Sequence, residues 1–147
     1  MPRVYVSAVM DVPVEQAWAV LRDFNALPAY HPFFSTSMIE DGLPADRIGC
    51  VRRFRTHGGD LIREQLLSLS DRERSCCYCI LEVTGLPVRD YVAQVTLWPV
   101  TEAGQTFGEW WAEFDADLAD QADCIARVTD TFRLGFQGTE RVARERR

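Results

Sequence analysis

The sequence predicts an α+β fold in which a curved antiparallel sheet of seven strands packs around one long C-terminal helix. Three observations indicate this fold. Six strand patterns follow one another through the middle of the chain, two short helical patterns precede them, and one long helical pattern follows them. Segregation of helices from consecutive strands is typical of α+β domains. The chain of 147 residues has the length of one domain, and we expect a single domain over residues 1–147.

The first part of the chain predicts one strand and two short helices. Alternating β-branched residues indicate strand one over residues 4–12. Pro13 then suits the start of a helix, with Asp11 as the expected N-cap. Trp18 lies on the apolar side of this helix, so we expect it in the core. A second short helix is expected over residues 25–30, before a proline that stops it.

The remaining strands are expected to form a meander connected by short turns. Glycine-containing or charged turn sequences separate most of them, as is typical of antiparallel hairpins. The predicted strands cover residues 34–40, 50–56, 61–69, 75–83, 89–98 and 106–115.

Residues 121–144 have the apolar spacing of a helix. Its predicted apolar face consists of Ile125, Val128, Thr129, Phe132 and Phe136. Near the end of this helix, Gly135 and Gly138 indicate either a bend or a close approach of the backbone to the sheet. A helix about 10 Å wide cannot cover seven strands unless the sheet curls around it, and a curled sheet leaves interior volume. The sequence therefore predicts a pocket between sheet and helix.

Pairing each strand with the next about its turn predicts which side chains share the inner face of the sheet. This register places Ile80 opposite Tyr91, Ala93 opposite Trp110, and Val95 opposite Gly108. The resulting inner face is apolar and aromatic: Phe54, Ile62, Leu66, Tyr78, Ile80, Tyr91, Ala93, Val95, Leu97, Trp110 and Phe114.

Two charged residues, Arg52 and Glu64, interrupt this apolar face and are predicted to lie directly opposite each other. Two compatible interpretations are open. The pair is an internal salt bridge that fixes the register, or it anchors a ligand carboxylate, hydroxyl or carbonyl, since a guanidinium binds oxyanions well. His31 is interpreted as a hydrogen-bonding residue that fixes a loop, with a general base as the alternative.

Composition excludes several classes of partner. The net charge of −6 argues against nucleic acid and anionic membranes, which require a basic surface. No apolar run approaches the roughly 20 residues of a membrane span, and no signal-peptide core is present, so we expect no membrane insertion and a cytoplasmic location.

Cys76, Cys77 and Cys79 lack metal-ligand spacing, and we expect no metal and no cofactor. Trp111, on the outer face, is interpreted as covered by long side chains or as a homodimer contact.

Short motifs along nearly the whole chain carry a resemblance to a known superfamily. They are residues 13–18, 22–24, 30–32, 48–52, 59–66, 78–80, 86–91, 99–101, 109–110 and Phe114. In order and spacing they resemble the START-like, or SRPBCC, superfamily, and within it the bacterial branch named for polyketide cyclases and dehydrases.

The resemblance implies the helix-grip fold, with a deep cavity between sheet and C-terminal helix. Members of the superfamily bind lipids, sterols, hormones or polyketides, and some are cyclases or aromatases. We therefore expect binding of a hydrophobic or amphipathic small molecule that is lipid-, polyketide- or aromatic-like. The alternative is a cyclase-, dehydratase- or aromatase-like enzyme that uses Glu64, Arg52 and tyrosines. The expected ligand-binding residues are Arg52, Phe54, Glu64, Leu66, Tyr78, Ile80, Tyr91, Trp110, Phe132 and His31.

Overall fold

Seven strands and one long helix make up most of the protein, whose computed structural model describes residues 1–146. Two short helices lie between the first two strands, and a 3₁₀ turn follows the second strand. The elements are β1 (Arg3–Met10), α1 (Val14–Leu21), α2 (Leu27–Tyr30), β2 (Phe34–Ile39), β3 (Val51–Thr56), β4 (Leu61–Ser70), β5 (Ser75–Val83), β6 (Arg89–Val100), β7 (Gln105–Asp115) and α3 (Gln121–Glu145).

The strands form one antiparallel sheet in the order β1-β7-β6-β5-β4-β3-β2. The sheet curves around α3, which packs against β1, β7 and both short helices. The predicted α+β fold, with its long C-terminal helix and two short helices between the first two strands, is confirmed.

The predicted pairs are present between β3 and β4, in the middle of the β4–β5 ladder and at Ala93 in the β5–β6 ladder. Arg52 pairs with Glu64, Leu66 with Tyr78, and Tyr78 with Ala93. The β5–β6 ladder ends at Cys79 and Val92, so the predicted pairing of Ile80 with Tyr91 is wrong. The β6 strand is irregular between Arg89 and Val92, and Asp90 has a φ of 51°. The two strands therefore separate at this end.

The predicted β6–β7 register is wrong by two residues. Ala93 pairs with Ala112, and Val95 pairs with Trp110. The reason is that β6 continues to Val100, which leaves residues 101–104 as the turn. Because side chains alternate with a period of two, a shift of two residues keeps every side chain on its predicted face. The predicted inner-face residues are accordingly all buried except Ile80, which is partly exposed.

The buried face of α3 differs from the predicted one at its first turn. Ile125 is 36% exposed, whereas Cys124 is fully buried. Successive residues of a helix lie about 100° apart around its axis. Burial of Cys124 instead of Ile125 therefore rotates the buried face of the first turn by about 100° from the predicted one. Thr129 is partly exposed. The buried residues of α3 are Cys124, Val128, Phe132, Gly135, Phe136, Gly138, Thr139, Val142 and Ala143.

The start of α1 also differs from expectation. The N-cap position is Pro13, in extended conformation, and no side chain caps the helix there. Asp11 lies two residues too early to reach the first free N–H groups, and its carboxylate instead lies 3.8 Å from Arg144. Trp18 is buried as predicted, and its indole N–H donates to the Asp71 carboxylate at 2.8 Å.

Candidate functional site

A cavity of about 520 Å³ lies between the inner face of the sheet and the N-terminal half of α3. Its deeper wall is mainly apolar and comes from β2–β6, the β5–β6 connection and α3. Exposed or partly exposed residues before β2, around the β3–β4 turn, after β5 and on α3 form its mouth. The wall residues are Phe34, Phe54, Ile62, Glu64, Ile80, Val83, Leu86, Tyr91 and Val128, and the mouth residues are Pro32, Phe33, Thr56, His57, Gly58, Asp60, Thr84, Arg127, Asp130 and Thr131.

Four of the ten residues expected to bind a ligand line this cavity. They are Phe54, Glu64, Ile80 and Tyr91. The other six lie in the surrounding core rather than in the lining: Arg52, Leu66, Tyr78, Trp110, Phe132 and His31.

Aromatic packing explains why the cavity occupies only one half of the space under α3. The Trp110 ring stacks on Phe132, with ring centres 5.0 Å apart, and meets Phe136 edge-on at 5.3 Å. The Trp110 indole N–H donates to the Tyr78 hydroxyl at 3.0 Å. These rings fill the space beneath the C-terminal half of α3, so the open volume is confined to its N-terminal half.

Several lining residues are not among the residues expected to bind a ligand. Val128 belongs to the predicted apolar face of α3, and Ile62 to the predicted inner face, so a signal for both was present. Leu86 and Thr84 come from the β5–β6 connection. Their only sequence signal was a turn, which says nothing about the direction in which a loop folds.

Arg52 and Glu64 form a buried ion pair at the inner end of the cavity. The Arg52 Nε donates to Glu64 Oε1 at 2.8 Å, and Nη2 lies 2.6 Å from the same oxygen. The remaining Nη1 donates to the Phe24 carbonyl at 3.3 Å. The guanidinium lies 4.0 Å from the centre of the Phe24 ring and 4.8 Å from that of Tyr78. Each of the three Arg52 side-chain nitrogens is therefore engaged, and Glu64, not Arg52, is the member of the pair that lines the cavity.

Two polar oxygens of the cavity wall have no hydrogen-bond partner among residues 1–146. Both Arg52 contacts go to Oε1 of Glu64, which leaves Oε2, and the second oxygen is the Tyr91 hydroxyl. In the described chain every fully buried side-chain nitrogen or oxygen has a partner. These two oxygens therefore keep some open surface, although Glu64 is only 6% and Tyr91 5% exposed, and both residues line the cavity.

Burial dominates the ionisation of these two groups. It raises the pKa of the Glu64 carboxyl above its ordinary value, although the Arg52 guanidinium opposes the shift. Burial, reinforced by the negative charge of Glu64, raises the pKa of Tyr91 well above the ordinary value for a phenol. Tyr91 is thus a neutral hydroxyl that can both donate and accept a hydrogen bond.

His31 connects the loop after α2 to α3 at the mouth of the cavity. Its Nδ1 accepts from the Phe33 N–H at 3.2 Å, so Nε2 carries the proton and donates to the Thr131 carbonyl at 2.8 Å. Its ring also lies 4.6 Å from the ring of Phe34, which lines the cavity. These contacts support the interpretation of His31 as a residue that fixes a loop.

The buried His31 is expected to make the protein less stable in mild acid. Burial lowers its pKa from 6.5 to about 4. The unfolded chain therefore takes up a proton at this position as the pH falls below 6.5, whereas the folded protein does so only near pH 4. Stability should be lost over this window, by about 2 kcal/mol between pH 7 and pH 4.5. Urea unfolding of wild type and of His31→Gln at both pH values measures this contribution.

The control for this experiment is His57→Gln, which alters the histidine of the exposed β3–β4 turn. The His31→Gln variant should lose less stability on acidification than wild type and the His57→Gln variant. Equal losses in all three proteins would contradict the assignment.

The described part of the chain has no cluster of three or more His, Cys, Asp or Glu side chains placed to hold a metal ion. Within residues 1–146, no helix has the length and apolarity needed to cross a membrane.

On the outer face, Trp111 is partly buried and the Arg3 guanidinium lies 5.4 Å from its ring centre. This contact agrees with the interpretation that long side chains cover Trp111, and the homodimer contact stays a prediction.

A concavity of about 680 Å³ lies where β5 and β6 separate. It shares Ile80, Val83 and Tyr91 with the cavity under α3. These three side chains therefore form the partition between the two spaces.

Comparison with known proteins agrees with this architecture. Residues 1–144 match the model of the family described as polyketide cyclase / dehydrase and lipid transport, which confirms the resemblance found in the sequence. Comparison with curated protein sequences finds no match.

Solved structures share the fold at low sequence identity. The protein XoxI from Bacillus cereus is 24% identical, with a TM-score of 0.85 and coverage of 97% of this chain and 95% of that one. An uncharacterised protein from Bacillus thuringiensis is 23% identical, with a TM-score of 0.84 and coverage of 97% and 98%. A protein from Nitrosospira multiformis is also 23% identical, with a TM-score of 0.84 and coverage of 99% and 100%. At these identities the likeness shows the fold alone.

Proposed function

Because the chain belongs to the polyketide cyclase / dehydrase and lipid transport family, we propose that it binds a hydrophobic or amphipathic small molecule in the cavity under α3. The observation that carries this proposal is the cavity itself, with a volume of about 520 Å³. Pockets for small molecules commonly have volumes of about 300–1,000 Å³, mostly apolar walls and a few polar groups. The apolar wall with Glu64 and Tyr91 at its inner end fits this description.

Apolar contact is the main source of affinity in this proposal. Burial of apolar surface contributes about 25 cal/mol per Å², so about 300 Å² of ligand and wall surface contributes roughly 7 kcal/mol. Association itself costs at least about 4 kcal/mol. A small ligand without polar contacts is therefore expected to bind weakly, and hydrogen bonds to the inner end of the cavity would add affinity and fix its orientation.

A cyclase- or dehydratase-like enzyme is the second candidate function. The observation that favours it is the buried Glu64 carboxyl in the cavity wall, whose pKa is raised, as suits a general acid or base. Tyr91 would orient a substrate carbonyl beside it. A Glu64→Gln variant that still binds a candidate substrate but no longer turns it over would favour the enzyme over the binding protein.

Filling the cavity from α3 is expected to abolish ligand binding. Val128 is 3% exposed and its side chain lines the cavity, so a Val128→Trp side chain has open volume to occupy. We expect the affinity for butylbenzene to fall at least tenfold, because the indole takes the space of the ligand. The measurement is a titration of ¹⁵N-labelled protein followed by NMR.

The matched control is Ile125→Trp, one turn earlier on the same helix and exposed. It introduces the same side chain outside the cavity and should leave the affinity unchanged. Unchanged binding by a folded Val128→Trp variant would mean that the ligand binds elsewhere and would remove the support for the proposal.

A further inference from the structure

The charges at the inner end of the cavity are already balanced before any ligand arrives. Glu64 and Arg52 neutralise each other, and the Nε, Nη1 and Nη2 atoms of Arg52 are all engaged with Glu64 or Phe24. A ligand carboxylate would therefore lie beside the Glu64 carboxylate, and no unpaired cation would be there to neutralise it. A ligand ammonium would add an unpaired positive charge near Arg52. Both arrangements bury a charge without a partner, which costs several kcal/mol.

A hydroxyl group matches the hydrogen-bonding chemistry of the two open oxygens. The ligand O–H can donate a hydrogen bond to Oε2 of Glu64, and the ligand oxygen can accept a hydrogen bond from the Tyr91 hydroxyl. Hydrogen bonds to an ionised acceptor are stronger than those between neutral groups. Neither hydrogen bond requires an existing one to break, because neither oxygen has a hydrogen-bond partner among residues 1–146.

The mouth of the cavity offers anions no better partner. Arg127 is the one arginine among its lining residues. It donates to the Gly85 carbonyl at 2.7 Å and lies 3.7 Å from Asp123. Asp60 and Asp130 add negative charge at the same opening, and the chain as a whole carries a net charge of −6. An anionic head group is therefore disfavoured at both ends of the cavity.

We propose that the ligand is an uncharged apolar molecule with a hydroxyl group, which it inserts between Oε2 of Glu64 and the Tyr91 hydroxyl. This inference rests on the proposed binding function and specifies its ligand class. The apolar body of the ligand lies against Phe54, Ile80 and Val128, and its far end points to the mouth.

Four probes that share one butylphenyl body test the inference: 4-butylphenol, butylbenzene, 4-butylbenzoate and 4-butylbenzylamine. Dissociation constants at pH 7 come from NMR titrations of the wild-type chain of 147 residues. We expect 4-butylphenol to bind about tenfold more tightly than butylbenzene, as a hydrogen bond to a charged group predicts. The benzoate and the amine should both bind more weakly than butylbenzene.

The results separate the inference from the function on which it rests. If none of the four probes binds, the proposed function fails and the inference fails with it. If butylbenzene binds but either charged probe binds as tightly as the phenol, the cavity still binds apolar molecules and only the hydroxyl preference is overturned.

Two variants test which residues cause the preference for the hydroxyl-bearing probe. Tyr91→Phe removes one hydroxyl and keeps the ring, and it should reduce the ratio of phenol to butylbenzene affinity about fivefold. Glu64→Gln keeps an amide oxygen for Arg52 but removes the carboxylate, and it should relieve the exclusion of 4-butylbenzoate. Should Glu64→Gln fail to fold, Tyr91→Phe decides the question.

The matched control for Tyr91→Phe is Tyr5→Phe, since Tyr5 is half-exposed on β1, outside the cavity lining. It should leave the ratio of the two affinities unchanged. A Tyr91→Phe variant with the wild-type ratio would overturn the placement of the hydroxyl.

Discussion

Replacing Arg52 by Met is expected to destabilise the protein by about 3–5 kcal/mol at pH 7, because it leaves the Glu64 carboxylate buried without its partner. The methionine keeps much of the packing against Phe24 and Tyr78, whose rings lie on the guanidinium. The loss should shrink as the pH falls, since a protonated Glu64 no longer carries the unpaired charge. Urea unfolding at pH 7 and pH 5 measures both effects.

Two further variants show whether the ion pair itself causes this loss. Replacing both partners, Arg52→Met with Glu64→Leu, removes both buried charges and should recover most of the stability. Arg63→Met breaks the pair with Glu40, whose shortest contact is 2.7 Å and which is far more exposed, and it should cost at most about 1 kcal/mol. Equal losses for Arg52→Met and Arg63→Met would contradict the role of the buried charge.

Replacing Gly138 by Ala is expected to destabilise the protein by about 3 kcal/mol or more, because the added methyl overlaps a neighbouring backbone. A Cβ at this position would lie 1.6 Å from the Tyr30 carbonyl oxygen. The last turns of α3 therefore pack directly against the end of α2. In an exposed helix the same change would stabilise by about 1 kcal/mol, so the sign of the effect tests the close approach. Thermal and urea unfolding measure it.

Gly58→Ala is the matched control in the β3–β4 turn. A Cβ there would be no closer than 3.7 Å to its nearest neighbour, Thr56, and the stability should change by less than about 0.5 kcal/mol. A Gly138→Ala variant as stable as wild type would mean that α2 and α3 are further apart than the structure places them.

From the sequence, the glycines near the end of α3 indicate either a bend or a close approach of the backbone. The close approach applies to both, but to two different partners. Gly138 meets the backbone of α2, whereas a Cβ on Gly135 would lie 2.9 Å from the Trp110 ring on β7. The pattern of one helix cannot reveal which element lies opposite it, so this distinction needed the structure.

The inner face of the sheet could be predicted because hairpin pairing depends on parity. The predicted β6–β7 register was wrong by two residues, yet Trp110 and Phe114 still point inward. The Arg52–Glu64 pair was predicted correctly because the turn between β3 and β4 is short and centred on Gly58. Local rules were sufficient for these features.

The position of the cavity along that face could not be predicted. It depends on where large side chains of α3 fill the interior, as Phe132 and Phe136 do around Trp110. The hairpin pairing of the strands predicts that Arg52 lies on the inner face, but it cannot show that Phe24 and Glu64 accept hydrogen bonds from the guanidinium. For the same reason the open oxygens of Glu64 and Tyr91 emerged only from the three-dimensional arrangement.

The space under α3 is proposed to bind an apolar small molecule with its polar end at Glu64 and Tyr91. Intermolecular nuclear Overhauser effects between bound 4-butylphenol and the protein report where the ligand lies and how it is oriented. We expect contacts from the butyl and ring protons to Val128, Ile80 and the Tyr91 ring, with the phenol ring nearer to Tyr91 than the butyl end. Contacts to the exposed outer-face residues Val9 and Trp98, without contacts to Val128, would contradict it.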